Sequence, residues 1–331
     1  MPMKLAMLGM WHSHANGLVR QVAAHPDAFS LVGFHDPNPK VVADRTEQWS
    51  PLIPNFRVYD RPEELLALPL DGVVVDGQVD ENVRMARLAL KRGFPVMLEK
   101  PAGHDLEEHR RLIELAQHKH LHLQMIYLFR YMSAVLEMIK LARSGALGEI
   151  YLFRARLPKD LDLYDHHVEV FGRYTGGIFF EMAGHIIDMM VALLGRPESV
   201  TPFMAHHHRK TGSFIDNGVA MFGFQHAWGM IEVSALEVAP DARRIEVYGT
   251  KGACVIPHLG SGHLANDAIQ PIDVFREGDD GWQRRDLPKA TLHIADLREF
   301  AACVAGRKKP DYGIEHDRIV QEALLRACGA V

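Results

Sequence analysis

Apolar residues follow two different rhythms along this chain. Over the first 125 positions they come in short unbroken runs separated by segments of helical period. Lys4 to Gly9, Leu31 to Asp36, Gly72 to Val75 and Pro95 to Leu98 read as buried strands, and so does Leu121 to Met125. Between them, Ala15 to Ala24, Pro62 to Leu68, Asp80 to Arg92 and Leu106 to His118 carry apolar residues at helical spacing. Strands without alternation are buried on both faces, and helices between them supply the crossovers of a parallel sheet.

After a helix over Ser133 to Arg143, ending near Gly145, the rhythm changes to strict alternation. Runs at 149–157, 199–206, 218–224, 228–236, 243–248 and 252–256 read as strands separated by turn signals. Strands that succeed one another without crossover helices imply a large, open, mostly antiparallel sheet. The expected organisation is an α/β domain over 1–125 and an α+β domain over 126–331. Helices at Asp296 to Ala305 and His316 to Cys328 can pack back on the first domain. A chain of 331 residues exceeds a single hydrophobic core, which independently argues for two domains.

Composition narrows the function classes. Hydrophobic residues make up 47%, charged residues 24% and the net charge is −5, which leaves no basic footprint for nucleic acid. The apolar run Leu5 to Met10 is too short for a membrane span or a signal segment, and no membrane partner is expected. Three widely spaced cysteines, Cys254, Cys303 and Cys328, suggest neither a disulfide framework nor a cysteine zinc site. A reducing cytoplasm is the simplest compartment.

Two places carry chemistry. In Phe94 to Pro101, Lys100 follows an apolar strand directly and Pro101 fixes the next turn. Ligands of open α/β sheets bind outside the carboxyl ends of the strands, so the ammonium of Lys100 is expected to face a cleft. The second place is Gly176 to Leu194, read as one apolar helix ending at Gly195, on which Glu181, His185 and Asp188 stand at i, i+4 and i+7. Ionisable groups on so apolar a segment need partners or a function. Histidine is abundant, twenty in all, with clusters at His12/His14, His166/His167 and His206 to His208, the last expected to alternate along a strand. Glu181 and His185 with His166 or His167 could in principle hold zinc, but the pair is also explained without metal, and none is expected.

The turn after the first strand is Gly9-Met10-Trp11-His12-Ser13-His14-Ala15. A dinucleotide fold has Gly-x-Gly-x-x-Gly or Ala here; Gly9 is in place, whereas Trp11 and His14 stand at the second and third glycines. The following helix still offers its amino terminus to phosphate. Asp36, ending the second strand, is placed to accept ribose hydroxyls and to repel a 2′-phosphate, so NAD is expected in preference to NADP.

These motifs resemble the glucose–fructose oxidoreductase, inositol dehydrogenase and rhizopine-catabolism (Gfo/Idh/MocA) family. The likeness lies in Glu99-Lys100-Pro101, in Gly176-Gly177 through Glu181, His185 and Asp188, and in Phe129-Arg130-Tyr131, Ser144 to Ile150 and Val247 to Gly252. It implies a Rossmann domain followed by a sheet-rich α+β domain. It also implies a homodimer or homotetramer through that sheet and a sugar or polyol substrate. By the same resemblance Gly9, Trp11, His12, His14, Asp36, Glu99, Lys100 and Pro101 face the cofactor, and Lys100, Glu181 and His185 are catalytic. Arg130, Tyr131, His166, His167 and Asp188 are substrate candidates. Glu181 stands where the family usually has aspartate, and Asp76 to Asn82 lacks the usual Thr-Pro and histidine. The implied activity is hydride transfer between a secondary alcohol and nicotinamide. The competing readings are net hydrolysis, elimination or epimerisation by transient oxidation on a retained NAD, and a non-catalytic dinucleotide or sugar sensor.

Overall fold

The computed structural model describes residues 1–160, 165–208, 212–237, 243–259 and 268–331, the side chains of 165–167 excepted. It divides into two compact units, 1–127 with 291–318, and 128–290 with 319–331.

In the first unit, β1 (Met3–Leu8), α1 (His14–Ala24), β2 (Phe29–His35), α2 (Pro39–Trp49), α3 (Pro62–Leu65), β3 (Gly72–Val75), α4 (Val79–Lys91), β4 (Val96–Glu99), α5 (Leu106–His118) and β5 (Leu123–Ile126) follow in order. The strands form one parallel sheet, β2-β1-β3-β4-β5. The unbroken apolar runs have the expected cause: Leu5 to Leu8, Val73 to Val75 and Val96 to Leu98 are all fully buried. The sheet has five strands, one for each apolar run, and the run at 121–125 is the last. The stretch after Asp36 is helix α2, opened by Pro39 at its first position and by the Asn38 side chain accepting from the Lys40 amide. A cavity of about 710 Å³ lies at the amino-terminal edge of this sheet, beside Met3, Phe29, Asp71 and Arg298, away from the strand ends that carry Lys100.

The second unit begins with a 3₁₀ turn at Leu128–Tyr131 and α6 (Ser133–Arg143), then β6 (Ile150–Pro158), α7 (Asp165–Phe171), α8 (Gly177–Met182) and α9 (Gly184–Leu194). Strands β7 (Ser199–Ala205), β8 (Asn217–Gly223), β9 (Trp228–Ser234), β10 (Arg244–Gly249), β11 (Gly252–Ile256), β12 (Ile269–Arg276) and β13 (Gln283–Pro288) complete an eight-stranded sheet in the order β13-β12-β11-β10-β6-β9-β8-β7. Every neighbouring pair is antiparallel except β6 and β9, which the intervening helices let run parallel. One face of this sheet, with Phe153, Ala220, Phe222, Ile231 and Val233 buried, lies under α8 and α9. The last helices are α10 (Ile294–Val304), in the first unit, and α11 (Ile314–Ala327).

Two local expectations change. The helix read as continuous over 176–194 is two, meeting at Ala183, whose carbonyl accepts from both Ile186 and Ile187 as the bonding restarts. Its start is glycine by necessity, because Gly176 has φ +94° and Gly177 φ +48°, and a Cβ on Gly177 would meet the Ile215 carbonyl oxygen. The histidines 206–208 lie beyond β7 rather than alternating within it. There the buried Asp216 carboxylate accepts the amides of His207 and His208 and turns the chain out of the strand.

Candidate active site

The carboxyl edge of the parallel sheet is built from the loops that follow β1, β2, β3 and β4. Gly9 leaves β1 with φ +83°, and a Cβ on it would come within 2.3 Å of Gly77 in the loop after β3. The first glycine of the turn is therefore required by backbone packing as well as by conformation. The amides of Trp11 and His12 both donate to the Asp76 carbonyl, tying the two loops together.

Where the second and third glycines are replaced, a different device holds the turn. Arg45, on α2, donates through Nε to the Met10 carbonyl at 2.8 Å and through Nη2 to those of Trp11 and His12 at 3.1 and 3.5 Å. Its guanidinium lies over the Trp49 ring. The sequence reading missed Arg45, because a lone arginine in a polar helix carries no local signal.

Asp36, at the end of β2, is 8% exposed and accepts the amides of Met10 at 2.7 Å and Asn38 at 2.9 Å. Burial raises its pKa, against the lowering effect of those two bonds. Each carboxylate oxygen keeps a second lone pair for a ribose hydroxyl. At the start of α1, Ser13 makes no side-chain cap and the first turn holds no acidic residue, so nothing there competes with a phosphate. On these observations the residues present fit a dinucleotide.

Glu99 and Lys100 end β4 fully inside the protein, at 0% and 2% exposure, and the Lys100–Pro101 peptide is cis. Glu99 Oε1 lies 2.9 Å from His14 Nδ1, 3.5 Å from His12 Nδ1 and 4.0 Å from Lys100 Nζ. The expected neighbours Gly9, Trp11, His12, His14, Asp36, Glu99, Lys100 and Pro101 thus gather along one edge of one unit. Asp76, between them at the end of β3, was not singled out. It is completely buried, with neither carboxylate oxygen hydrogen-bonded, and burial, with the charge of Glu99 added, pushes it well above the usual carboxylate range.

In the second unit, Glu181 ends α8 and His185 opens α9, each 2% exposed. The ring of Phe129 stacks on that of His185 with centroids 4.6 Å apart and planes 24° from parallel, which fixes the imidazole plane. One turn on, Asp188 takes a forked pair from Arg130: Nε at 3.0 and 2.9 Å to its two oxygens, and Nη2 at 2.7 Å. Both are buried, whereas Tyr131 beside them is partly exposed. The side chains of His166 and His167 lie outside the described residues, and so do the zinc alternatives that need them.

Known proteins place this architecture. A model of the oxidoreductase family with an NAD-binding Rossmann fold matches residues 3–127, and a GFO/IDH/MocA C-terminal domain model matches 135–255. The uncharacterized oxidoreductase YdgJ of Escherichia coli is 27% identical over 203 residues, 61% of this chain and 58% of that protein. Myo-inositol 2-dehydrogenase of Thermotoga maritima is 26% identical over 222 residues, 63% of each chain. The chain thus spans under two thirds of the length of these relatives. Among solved structures, the WlbA dehydrogenase of Bordetella pertussis, in complex with NADH and UDP-GlcNAcA, superposes with a TM-score of 0.80 at 20% identity, covering 99% of this chain and 96% of that one. Among the described residues no helix is long and apolar enough to cross a membrane. With both of its units matched in order, the chain belongs to the GFO/IDH/MocA oxidoreductase family and carries that family's NAD-binding Rossmann fold.

Proposed function

We propose that the protein is an NAD-dependent dehydrogenase that moves a hydride between a secondary alcohol of a sugar or polyol and nicotinamide. The observation that carries this reading is the buried ammonium of Lys100, held beside Glu99 at the carboxyl edge of the parallel sheet. A buried cation there stabilises oxygen charge that develops as an alcohol loses its proton, and it does so more strongly than in water. His185, its ring plane held by Phe129, supplies the base for the hydroxyl proton, and Glu181 steadies the imidazolium that results. NAD, when bound, supplies the hydride acceptor, with Asp36 on the adenosine ribose and the start of α1 on the phosphates.

Lys100→Met and His185→Ala should each lower kcat about a hundredfold or more while NAD affinity stays within a few-fold. Near-normal turnover in either variant would remove that residue from the chemistry. Calorimetric titration should show NAD binding tighter than NADP, with the gap narrowing in Asp36→Ala. A sugar and polyol panel read at the reduced-nicotinamide band identifies the substrate.

Arg45 favours a second reading, in which NAD stays bound and transient oxidation drives a net hydrolysis, elimination or epimerisation. A turn clamped at three carbonyls opens less readily than a glycine loop. Dinucleotide that copurifies at one per chain, with sugar conversion and no net reduction, would select it.

The same proposal includes self-association. On the sheet face away from α8 and α9, Leu152 pairs with Trp228, Met221 with Met230 and Phe203 with Val219, and Phe203 and Trp228 are 61% and 58% exposed. A second copy would cover this apolar face. Light scattering should give at least twice the 37.2 kDa chain mass; a single-chain mass across the micromolar range would refute it.

A further inference from the structure

Glu99 Oε1 is a point on which several groups converge, and the convergence has a chemical peculiarity. The Nδ1 atom of His12 accepts the amide N–H of His14 at 3.3 Å, so it bears a lone pair rather than a proton. That lone pair lies 3.5 Å from Glu99 Oε1, itself an acceptor when ionised. Two acceptors facing each other in a buried place are a pair that a cation between them would bridge. His14 brings a third donor atom, its Nδ1 2.9 Å from the same oxygen, and ligand atoms of the three residues all lie within 4.8 Å of one another.

We propose that His12, His14 and Glu99 bind one divalent transition-metal ion at the carboxyl edge of the parallel sheet. Two imidazoles and one carboxylate suit Zn²⁺, Mn²⁺ or Fe²⁺. With metal–ligand bonds of 2.0–2.2 Å, the ligand atoms of a tetrahedral site stand about 3.3–3.6 Å apart. The His12–Glu99 separation of 3.5 Å falls in that range, and the His14–Glu99 pair reaches it by opening about 0.5 Å. The amide contact to His12 is at the long end of hydrogen bonds, so an ion can replace it. The His14 side chain is 21% exposed against 4% and 0% for the other two, which leaves an entry on its side and a coordination position for water or a ligand oxygen.

Two further groups near these three have buried polar atoms without a hydrogen bond, and Lys100 Nζ stands 4.0 Å from the shared Glu99 oxygen. Asp76 presents a fully buried carboxyl with no hydrogen-bond partner on either oxygen, in the loop whose carbonyl holds the His12 amide. From the start of α10, His293 sets its ring 5.8 Å from that of His14, with Nδ1 buried and unpartnered; Gly17 makes room, since a Cβ there would strike the imidazole. The ion would carry both positive charge and an open position to the edge that receives a dinucleotide. Its existence does not depend on hydride transfer.

The test uses the full chain, stripped with chelator and titrated with Zn²⁺ by calorimetry and with Co²⁺ by visible absorption. One ion per chain is expected, with Co²⁺ giving ligand-field bands. His12→Asn, His14→Asn and Glu99→Gln should each weaken Zn²⁺ by roughly a hundredfold, the upper end of what outer-shell changes cost, or by more. His14→Asn, at the exposed corner, keeps the test usable if the buried variants fail to fold, with far-UV circular dichroism as the check. The surface control His207→Ala with His208→Ala should bind as the parent does. Substoichiometric binding, unchanged affinity in the folded His14 variant, or loss in the surface control would overturn the proposal. The first of these would leave His14 and Lys100 as the partners of Glu99. NAD titration of the stripped protein, read separately, reports on the dehydrogenase reading whichever way the metal result falls.

Discussion

Each unit buries an aspartate almost completely, and the two are held in opposite ways. Asp188, 1% exposed, has both oxygens filled by the fork of Arg130. Asp76, 0% exposed, has no hydrogen bond on either oxygen, and burial, followed by the like charge of Glu99, raises its pKa. The first is a charge paired inside the protein, stabilising only as long as both partners remain. The second is a carboxyl whose ionised form burial disfavours and added positive charge would favour. The contrast sets a carboxylate already paired by Arg130 against one at the strand ends whose charge depends on what lies near it.

The sharpest way to break the comparison is to leave one partner alone. Arg130→Met strands a buried carboxylate and should destabilise the fold by about 3–5 kcal/mol in urea unfolding at neutral pH. A loss under about 1 kcal/mol would show that Asp188 finds other support.

A histidine offers the intermediate case. His109 on α5 is 1% exposed with no hydrogen bond on either nitrogen, and burial, aided by the charge of Arg318, holds its pKa down to about 4. Between the ordinary value near 6.5 and about 4 the unfolded chain takes up a proton that the folded chain refuses, so stability falls as pH falls through that window. The full loss is about 3 kcal/mol. His109→Leu should flatten the acid limb of unfolding measured from pH 7 to 4; an unchanged limb would mean that the ring is already protonated when folded.

The smallest effect belongs to Asp76. Because burial disfavours the ionised form of its carboxyl, Asp76→Asn should change stability by less than about 1 kcal/mol at neutral pH, where the chemically identical Asp188→Asn costs several. Equal losses from the two would erase the distinction.

How far the sequence could foresee this depends on where the signal resides. The unbroken runs of β1, β3 and β4 and the alternation of β8 and β9 are burial patterns, and burial is written in residue type. The runs that became β12 and β13 give no such pattern, since Ile269–Arg276 is interrupted by Pro271 and Gln283–Pro288 is a polar edge strand. Helix α2 buries only Trp49, so its periodicity is silent, although Asn38-Pro39 announced its start. At the site, Lys100 and Glu99 were legible from the strand end that carries them. Their meeting with His12 and His14 was not, because it joins the ends of β1 and β4, which have β3 between them in the sheet.

Arg45 has a consequence for affinity. Any freedom that a glycine turn keeps until a phosphate arrives is lost on binding, and that ordering subtracts from affinity. Here the turn after β1 is fastened at three carbonyls by a guanidinium from α2, the helix that begins three residues after Asp36. Its conformational freedom is given up during folding, and a dinucleotide meets a preorganised cradle. The region expected to greet the ribose and the region expected to greet the phosphates are thus linked by one side chain, so a disturbance at either end should be felt at the other as a change in residence time.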